Sequence, residues 1–544
     1  MTTRNRLATL ILTATVLIPI GAIIYHRLTT SSGLPPNPLS SPTTMASPAP
    51  VIVVGSGLAG LSAAYTALKS GAPSVLMLER APKPGGNSIK ASSGINGAPT
   101  RYQHDEPTSP HSTAPSADEI ESFLSDTFRS AGARLSSPDV SPAIKKQREA
   151  LISVLVHSST AAIDFLTQDL GIDLSVVAQL GGHSHARTHR GAGKTPPGAS
   201  IVTTLLNKLK EFGPDRFILK TSSEVTQILT DANNNNQVIG VQYETTTADD
   251  DDHPSTAVGP VIFTTGGFAG DTHGLLQKYR PDLAGLPSTN EPRPGAHNLL
   301  TSIGAKLIDM DSVQIHPTGF IDPANPQSQL KFLAAEMLRG EGGILLHNGK
   351  RFVNELDTRE KVSGVIMGLG LLEGGDGLRQ WDVKIVLDEG VAEAAAGHVG
   401  FYLWKGLLKK VKVGELDEVT RETLRGYGRV VGGEEEDAFG RRAFGHWKLG
   451  VGNGEVNGEE EVCVGSVTPI THFTMGGVVF DERARVLRTE LGEEPQMAIG
   501  GVWAAGEITG GIHGDNRLGG SSLLECVVFG RIAGEEAAGV AVGR

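Results

Sequence analysis

The feature that most constrains this chain is Gly55-Ser56-Gly57-Leu58-Ala59-Gly60, set between an apolar run at residues 51–54 and a helical pattern at 58–68. A G-x-G-x-x-G turn in that setting does three things. Its first glycine makes the tight turn out of the strand, and its second lets the backbone approach a pyrophosphate. Its third lets helix and strand pack closely, with the helix N-terminus facing the anion. A second apolar run at 75–79 ends on Glu79, nineteen residues past Gly60, where a carboxylate can accept hydrogen bonds from ribose hydroxyls. These elements predict a βαβ unit and a Rossmann-like, dinucleotide-binding α/β domain.

The unit alone does not separate one dinucleotide from another, but four further clusters do. Gly85-Gly86-Asn87-Ser88 leads into Ala91-Ser92-Ser93-Gly94-Ile95-Asn96-Gly97. Thr265-Gly266-Gly267 and Ala505-Gly506-Glu507 each follow a strand-like run, and Asn516-Arg517-Leu518-Gly519-Gly520-Ser521-Ser522 opens an apolar helical run. Small residues after several strands line one long ligand, and helix N-termini there suit an anionic one. FAD meets that description.

The rest of the chain narrows the class. At 544 residues with 39% hydrophobic, it is long enough for two domains. A net charge of -12 argues against nucleic-acid binding, and the acidic runs at 249–252, 434–437 and 459–461 read as solvated loops. Only Cys463 and Cys526 are present, so no disulfide framework exists, and without a C-x-x-C-H no c-type haem is attached. Residues 7–25 are uncharged and mostly apolar, flanked by Arg4, Arg6 and Arg27. That length just spans a hydrocarbon core. The expected plan is therefore a signal anchor or leader at 1–28, a Ser/Pro-rich linker at 29–50, a cofactor domain at 51–310 and 472–544, and an inserted domain at 311–471.

On these motifs the chain resembles the FAD-dependent fumarate reductase family, in its soluble, fungal-type branch. The resemblance is carried by residues 55–60, 85–97, 180–200, 335–343, 351–359, 472–477 and 504–534, and by Gln314-Ile315-His316-Pro317-Thr318. It covers nearly everything after Pro50. It implies a Rossmann-like FAD domain interrupted by an α+β capping domain, the active site between them, and reduction of fumarate to succinate. The FAD set it implies is Gly55, Ser56, Gly57, Leu58, Ala59, Gly60, Glu79, Arg80, Gly86, Asn87, Ser88, Ser92, Ser93, Gly94, Asn96, Gly97, Val225, Thr265, Gly266, Gly267, Glu507, Ser521, Ser522 and Leu523.

Saturating the alkene of a dicarboxylate needs a hydride donor, cations to hold two carboxylates, and an acid. By resemblance, Arg517 and His472 clamp one carboxylate and His316 meets the other. Arg359 is the proton donor, with Glu336 and Arg339 relaying protons from solvent. Relatives that oxidise succinate attach flavin through a His near residue 87, whereas Gly86-Asn87-Ser88-Ile89-Lys90 has none. Noncovalent FAD follows as the expectation, with a diffusible donor such as reduced free flavin, and a site at an endoplasmic reticulum or mitochondrial membrane. The three histidines in residues 181–190 lack the acids or cysteines of a metal site, and fit a loop near the flavin.

Two departures stand out. Where the family carries Ala-Thr-Gly-Asp-Gly, this chain has Arg293-Pro294-Gly295-Ala296-His297, which bears on FAD affinity. Glu360 replaces the usual Asp after the donor Arg. The rival readings are an aspartate oxidase, a reductase of a different unsaturated acid, and an inactive flavin-binding redox sensor.

Overall fold

Val51–Val54 is buried at every position, as a strand covered on both faces must be. It runs parallel to Val75–Leu78 on one side and Val261–Phe263 on the other. The sheet order is Arg485–Leu487, Ala498–Ala504, Val261–Phe263, Val51–Val54, Val75–Leu78, Phe217–Lys220, parallel throughout except for the first pair. The computed structural model describes residues 49–103, 119–193, 195–246, 254–372, 377–452 and 455–543. The expected anchor at 1–28, the linker as far as 48 and the acidic run 249–252 lie outside them. Among the described residues, no single helix is long and apolar enough to cross a membrane.

One face of this sheet is covered by the helices Leu58–Lys69 and Ser521–Ala541. They touch backbone to backbone, because a Cβ at Gly530 would lie 2.6 Å from the Ala59 carbonyl oxygen and one at Gly534 2.3 Å from that of Ala63. The other face carries a three-stranded antiparallel meander, Ser223–Asp231, Gln237–Thr245 and Ser255–Val258. Its first turn, at residues 232–236, has Asn235 and Asn236 at positive φ, as an Asn-rich hairpin tip allows.

A second, antiparallel sheet is built on Val313–Phe320 and the long strand Glu461–Thr474. Val383–Leu387, Ile344–His347, Lys350–Arg351, Lys409–Lys412 and Phe332–Leu333 complete it. It has its own core, including Ile344, Leu345, Trp381, Ile385 and Val467. The ladder between its two central strands slips twice. Gln314 pairs with Phe473 but Ile315 with Thr471, and His316 pairs with Ile470 but Gly319 with Thr468. Such bulges re-aim side chains. His472 is the extra residue of the first slip, and His316 borders the second, where Pro317 has no N–H for a ladder. Both cysteines are free thiols.

Candidate active site

The cofactor side is made mostly of backbone. Gly55 has φ 102°, and a Cβ on Gly60 would lie 2.1 Å from the Gly55 carbonyl oxygen. Only glycine closes that turn. Gly57 is different: an added Cβ would meet only Ser88 Oγ, at 3.5 Å, and at Gly266 it would meet nothing within 4 Å. Both glycines therefore leave room at the C-terminal ends of adjacent parallel strands, where ligands of such sheets bind. Ser92 Oγ and Thr265 Oγ1 are buried without a hydrogen-bond partner among the described residues, Thr265 next to Gly266. A cradle of open glycines with unpaired hydroxyls fits FAD.

Other members of the expected FAD set have protein partners. Glu79 accepts from the Ser56 N–H at 3.0 Å and Oγ at 2.5 Å, and from the Ala81 N–H at 2.7 Å. Ser88 Oγ accepts from the Leu58 N–H at 3.1 Å, next to Ala59. Asn96 Nδ2 donates to the Gly519 carbonyl at 2.7 Å and to Ser521 Oγ at 3.0 Å. Asn87 donates to Asn290, and Arg80 Nη1 donates to the Pro294 carbonyl at 2.7 Å. Arg80 thus touches the segment that departs from the family. In that segment Gly295 N–H donates to Asp271 at 3.1 Å, and His297 is buried edge-on to Phe268. Gly86 lies beside Gly57, while Gly94, Gly97 and Gly267 pack against His189, Ile163 and Thr474. Val225 and Leu523 have core side chains, and Ser93 and Ser522 are half-buried.

The substrate side is made of side chains. Arg359 opens the helix Arg359–Met367, whose Thr358 cap accepts from the Lys361 N–H. Its Nε donates to Glu336 Oε2 at 2.7 Å, its Nη2 donates to the same oxygen, and its Nη1 donates to Gln314 Oε1 at 2.9 Å. Arg517 Nη2 donates to that same Gln314 oxygen at 2.9 Å, its Nη1 to the Leu518 carbonyl at 3.0 Å, and its guanidinium lies 4.3 Å over the Phe473 ring. Its Nε has no hydrogen-bond partner, and no ion pair to it exists among the described residues. The His316 and His472 rings meet with centroids 5.3 Å apart. The Thr318 N–H donates to His316 Nδ1 at 3.2 Å. The ring hydrogen is therefore on Nε2, which is buried with nothing to donate to among the described residues.

This is an electron-poor pocket. Burial first, and then Arg359, hold His316 and His472 well below the usual imidazole range, so both are neutral donors near pH 7. Burial and Arg359 pull Arg517 down to about 9. Burial pushes the Glu336 carboxyl up, but Arg359 and Arg339 outweigh it and leave it lowered, hence ionised. Arg359 thus has Glu336 as its close carboxylate, whereas Arg517 has no carboxylate within ion-pair distance among the described residues and feels Glu525 and Glu507 from farther off. A desolvated cation without its counter-ion is costly, and an anionic ligand relieves it.

The structure brings His316, Glu336, Arg359, His472 and Arg517 into one cluster. Arg339 stands behind it, fully buried. It follows Glu336 by one helical turn, but Glu336 pairs with Arg359 and accepts from the Gly181 N–H at 3.2 Å. Arg339 Nη1 instead donates to the Glu355 carbonyl at 2.5 Å. Two further residues belong to the site that sequence reasoning missed. Gln314 bridges both arginines, and its Nε2 donates to Asn516 Oδ1 at 3.0 Å and to the Arg517 carbonyl at 2.7 Å. Its place two residues before His316 was the signal that could have found it. Glu355 is buried between Arg351, at 2.8 Å, and Arg441, at 3.0 Å, and no local pattern marks it.

The chain as a whole is similar to known proteins. The family described as an FAD binding domain matches residues 50–523. The fumarate reductase of Schizosaccharomyces pombe is 40% identical over 509 residues, covering 91% of this chain and 90% of that one. Fumarate reductase 1 of Saccharomyces cerevisiae is 38% identical over 508 residues, covering 90% and 98%. The solved open conformation of a flavocytochrome c3 fumarate reductase matches with a TM-score of 0.65 and 27% identity, over 91% of this chain and 78% of that one.

Proposed function

This chain belongs to the FAD-dependent fumarate reductase family, and from that membership we infer that it reduces fumarate to succinate. The observation that carries the reading is Arg517, buried without an ion-pair partner among the described residues, beside a His316 Nε2–H that has nothing to donate to. Two carboxylates of a four-carbon diacid answer both needs. Bound and reduced, FAD supplies the hydride, and the remaining roles fall to the chain's own side chains.

Arg517 holds one carboxylate through its planar fork, with His472 beside it, and His316 donates from Nε2 to the other. These contacts strengthen as negative charge moves onto the carboxylate next to the reacting alkene. Arg359 delivers a proton to the carbon that becomes basic. Arginine suits the task because a carbanion-like centre is far more basic than a neutral guanidine. Glu336 Oε2, 2.7 Å from Arg359 Nε, is placed to return the proton, and Arg339 lies one turn beyond it.

Sequence supports the finer assignments. The inserted region 311–471 serves as a cap over the FAD domain, and FAD is held noncovalently. Electrons arrive from a diffusible donor such as reduced free flavin. Residues 1–28 tether the enzyme to an endoplasmic reticulum or mitochondrial membrane. The test is to purify the protein, record its flavin spectrum, and follow oxidation of reduced free flavin with fumarate or aspartate added. We expect a yellow protein and fumarate-dependent oxidation. A colourless protein that FAD does not reconstitute, or turnover with aspartate alone, would overturn the reading.

A further inference from the structure

The side chains of the histidine-rich loop at residues 181–190 have no part in the scheme above, which the loop meets only through the Gly181 N–H on Glu336. Thr188 packs against the active-site turn at Gly520, and His183 is hydrogen-bonded to it. His183 is 6% exposed, with Nδ1 2.9 Å from Arg187 Nη1 and Nε2 2.9 Å from the Gly519 carbonyl oxygen. Arginine has only donors, so Nδ1 must accept and Nε2–H must donate to Gly519. The far end is anchored. Asp126 Oδ2 accepts from Arg187 at 2.6 Å and from the Ser184 N–H and Oγ, each at 2.7 Å. The Arg187 guanidinium also lies 4.8 Å over the Phe123 ring.

The turn at 516–520 needs such outside support. A Cβ on Gly519 would lie 2.9 Å from Glu336 Oε2 and 3.4 Å from Arg359 Nη2. Gly520 has φ 84°, and a Cβ there would lie 2.2 Å from Asn96 Oδ1. These two positions therefore have no side chains with which to brace themselves. The Gly519 carbonyl is held from both sides, by Asn96 Nδ2 and by His183 Nε2. Movement there carries Arg517 with it, since Arg517 Nη1 donates to the adjacent Leu518 carbonyl. It also displaces the start of the helix Ser521–Ala541 on the cofactor side.

We propose that His183 is a positioning residue, which pins the Gly519 carbonyl and so holds Arg517 in register with the Arg359–Glu336 pair. The proposal rests on the substrate-side roles of Arg359 and Arg517 given above. Burial and Arg187 keep the imidazole neutral, with Asp126 and Glu336 facing it from the other elements.

Two variants separate its two hydrogen bonds. His183→Gln keeps a donor where Nε2 lies. His183→Asn keeps an acceptor toward Arg187 but falls short of Gly519. We expect the Asn variant to retain its FAD and lose about tenfold in kcat with fumarate, as loss of one positioning hydrogen bond implies. The Gln variant should stay within about threefold of the parent, a smaller loss because the Gly519 bond survives. Amide hydrogen exchange at residues 518–521 should be faster in the Asn variant than in the Gln variant. Exchange needs no turnover, so a parent enzyme inactive on fumarate would count against the function and leave exchange to decide this point. Equal exchange and equal kcat in the two variants would overturn the proposal. If the Asn variant does not accumulate, His183→Met, which has no donor, takes its place under the same criteria.

Discussion

The two sides of this site are built from different materials. The cofactor side is a backbone surface, where Gly57 and Gly266 offer space and the charged groups nearby, Glu79 and Arg80, are tied to the protein itself. The substrate side is a side-chain surface, where Arg359 and Arg517 converge on one Gln314 oxygen and two neutral histidines complete the ring. A backbone surface accommodates a large ligand by shape. A side-chain surface recognises a small anion by unmet electrostatic demand. Damage on one side should therefore appear as lost cofactor, and on the other as lost turnover with the cofactor retained.

The sharpest test of that division is Arg359→Lys. It keeps a positive charge but loses the fork on Glu336 and Gln314, and kcat with fumarate should fall roughly a thousandfold while FAD content stays full. Steady-state rates alongside the flavin spectrum check it, and intact turnover would remove Arg359 as proton donor. Next is Arg517→Met, which leaves similar bulk over Phe473. KM for fumarate should rise about a hundredfold, the cost of removing one buried charge partner. A loss of bound flavin instead would break the comparison.

On the cofactor side, Gly57→Ala should weaken FAD about ten- to a hundredfold by overpacking the ligand and not the protein. Titration of the apoprotein measures that, and the melting point of the FAD-free protein should not move. Gly60→Ala is the control, since its methyl would strike the Gly55 carbonyl and disturb the fold itself.

The smallest expected effect lies where the two sides meet. Glu507 accepts from the Thr474 N–H at 2.9 Å, and burial, helped by Glu525, pushes its carboxyl up to about 7. Its proton is held more tightly in the folded chain than in the unfolded one. The associated stability is thus fully present below the usual carboxylate range and is lost as pH rises through 7. The melting temperature should fall by a few degrees between pH 5 and pH 8, and Glu507→Gln should flatten that part of the curve. An unchanged slope in the variant would place the titration elsewhere.

Much of the molecule is legible in its sequence. The βαβ unit can be read because its signals are local: an apolar strand, a glycine turn and an acid at fixed spacing. The expected helix at 58–68 is Leu58–Lys69, and the strand run at 75–79 is Val75–Leu78. The chemistry of His316, Glu336, Arg359, His472 and Arg517 can be read because residue types carry their donors and charges wherever they stand. Their convergence came only from motif resemblance, since 201 positions separate His316 from Arg517.

What the chain alone determined, then, was which short segments turn, extend or coil, and which side chains bring charge. Tertiary structure determined how distant segments align. The double slip between Val313–Phe320 and Glu461–Thr474 aims the two histidines at one point, and Gln314 joins two arginines that stand far apart in the sequence. Strand register and hydrogen-bond partners across such separations are chosen by packing of the whole molecule, and no local pattern encodes them.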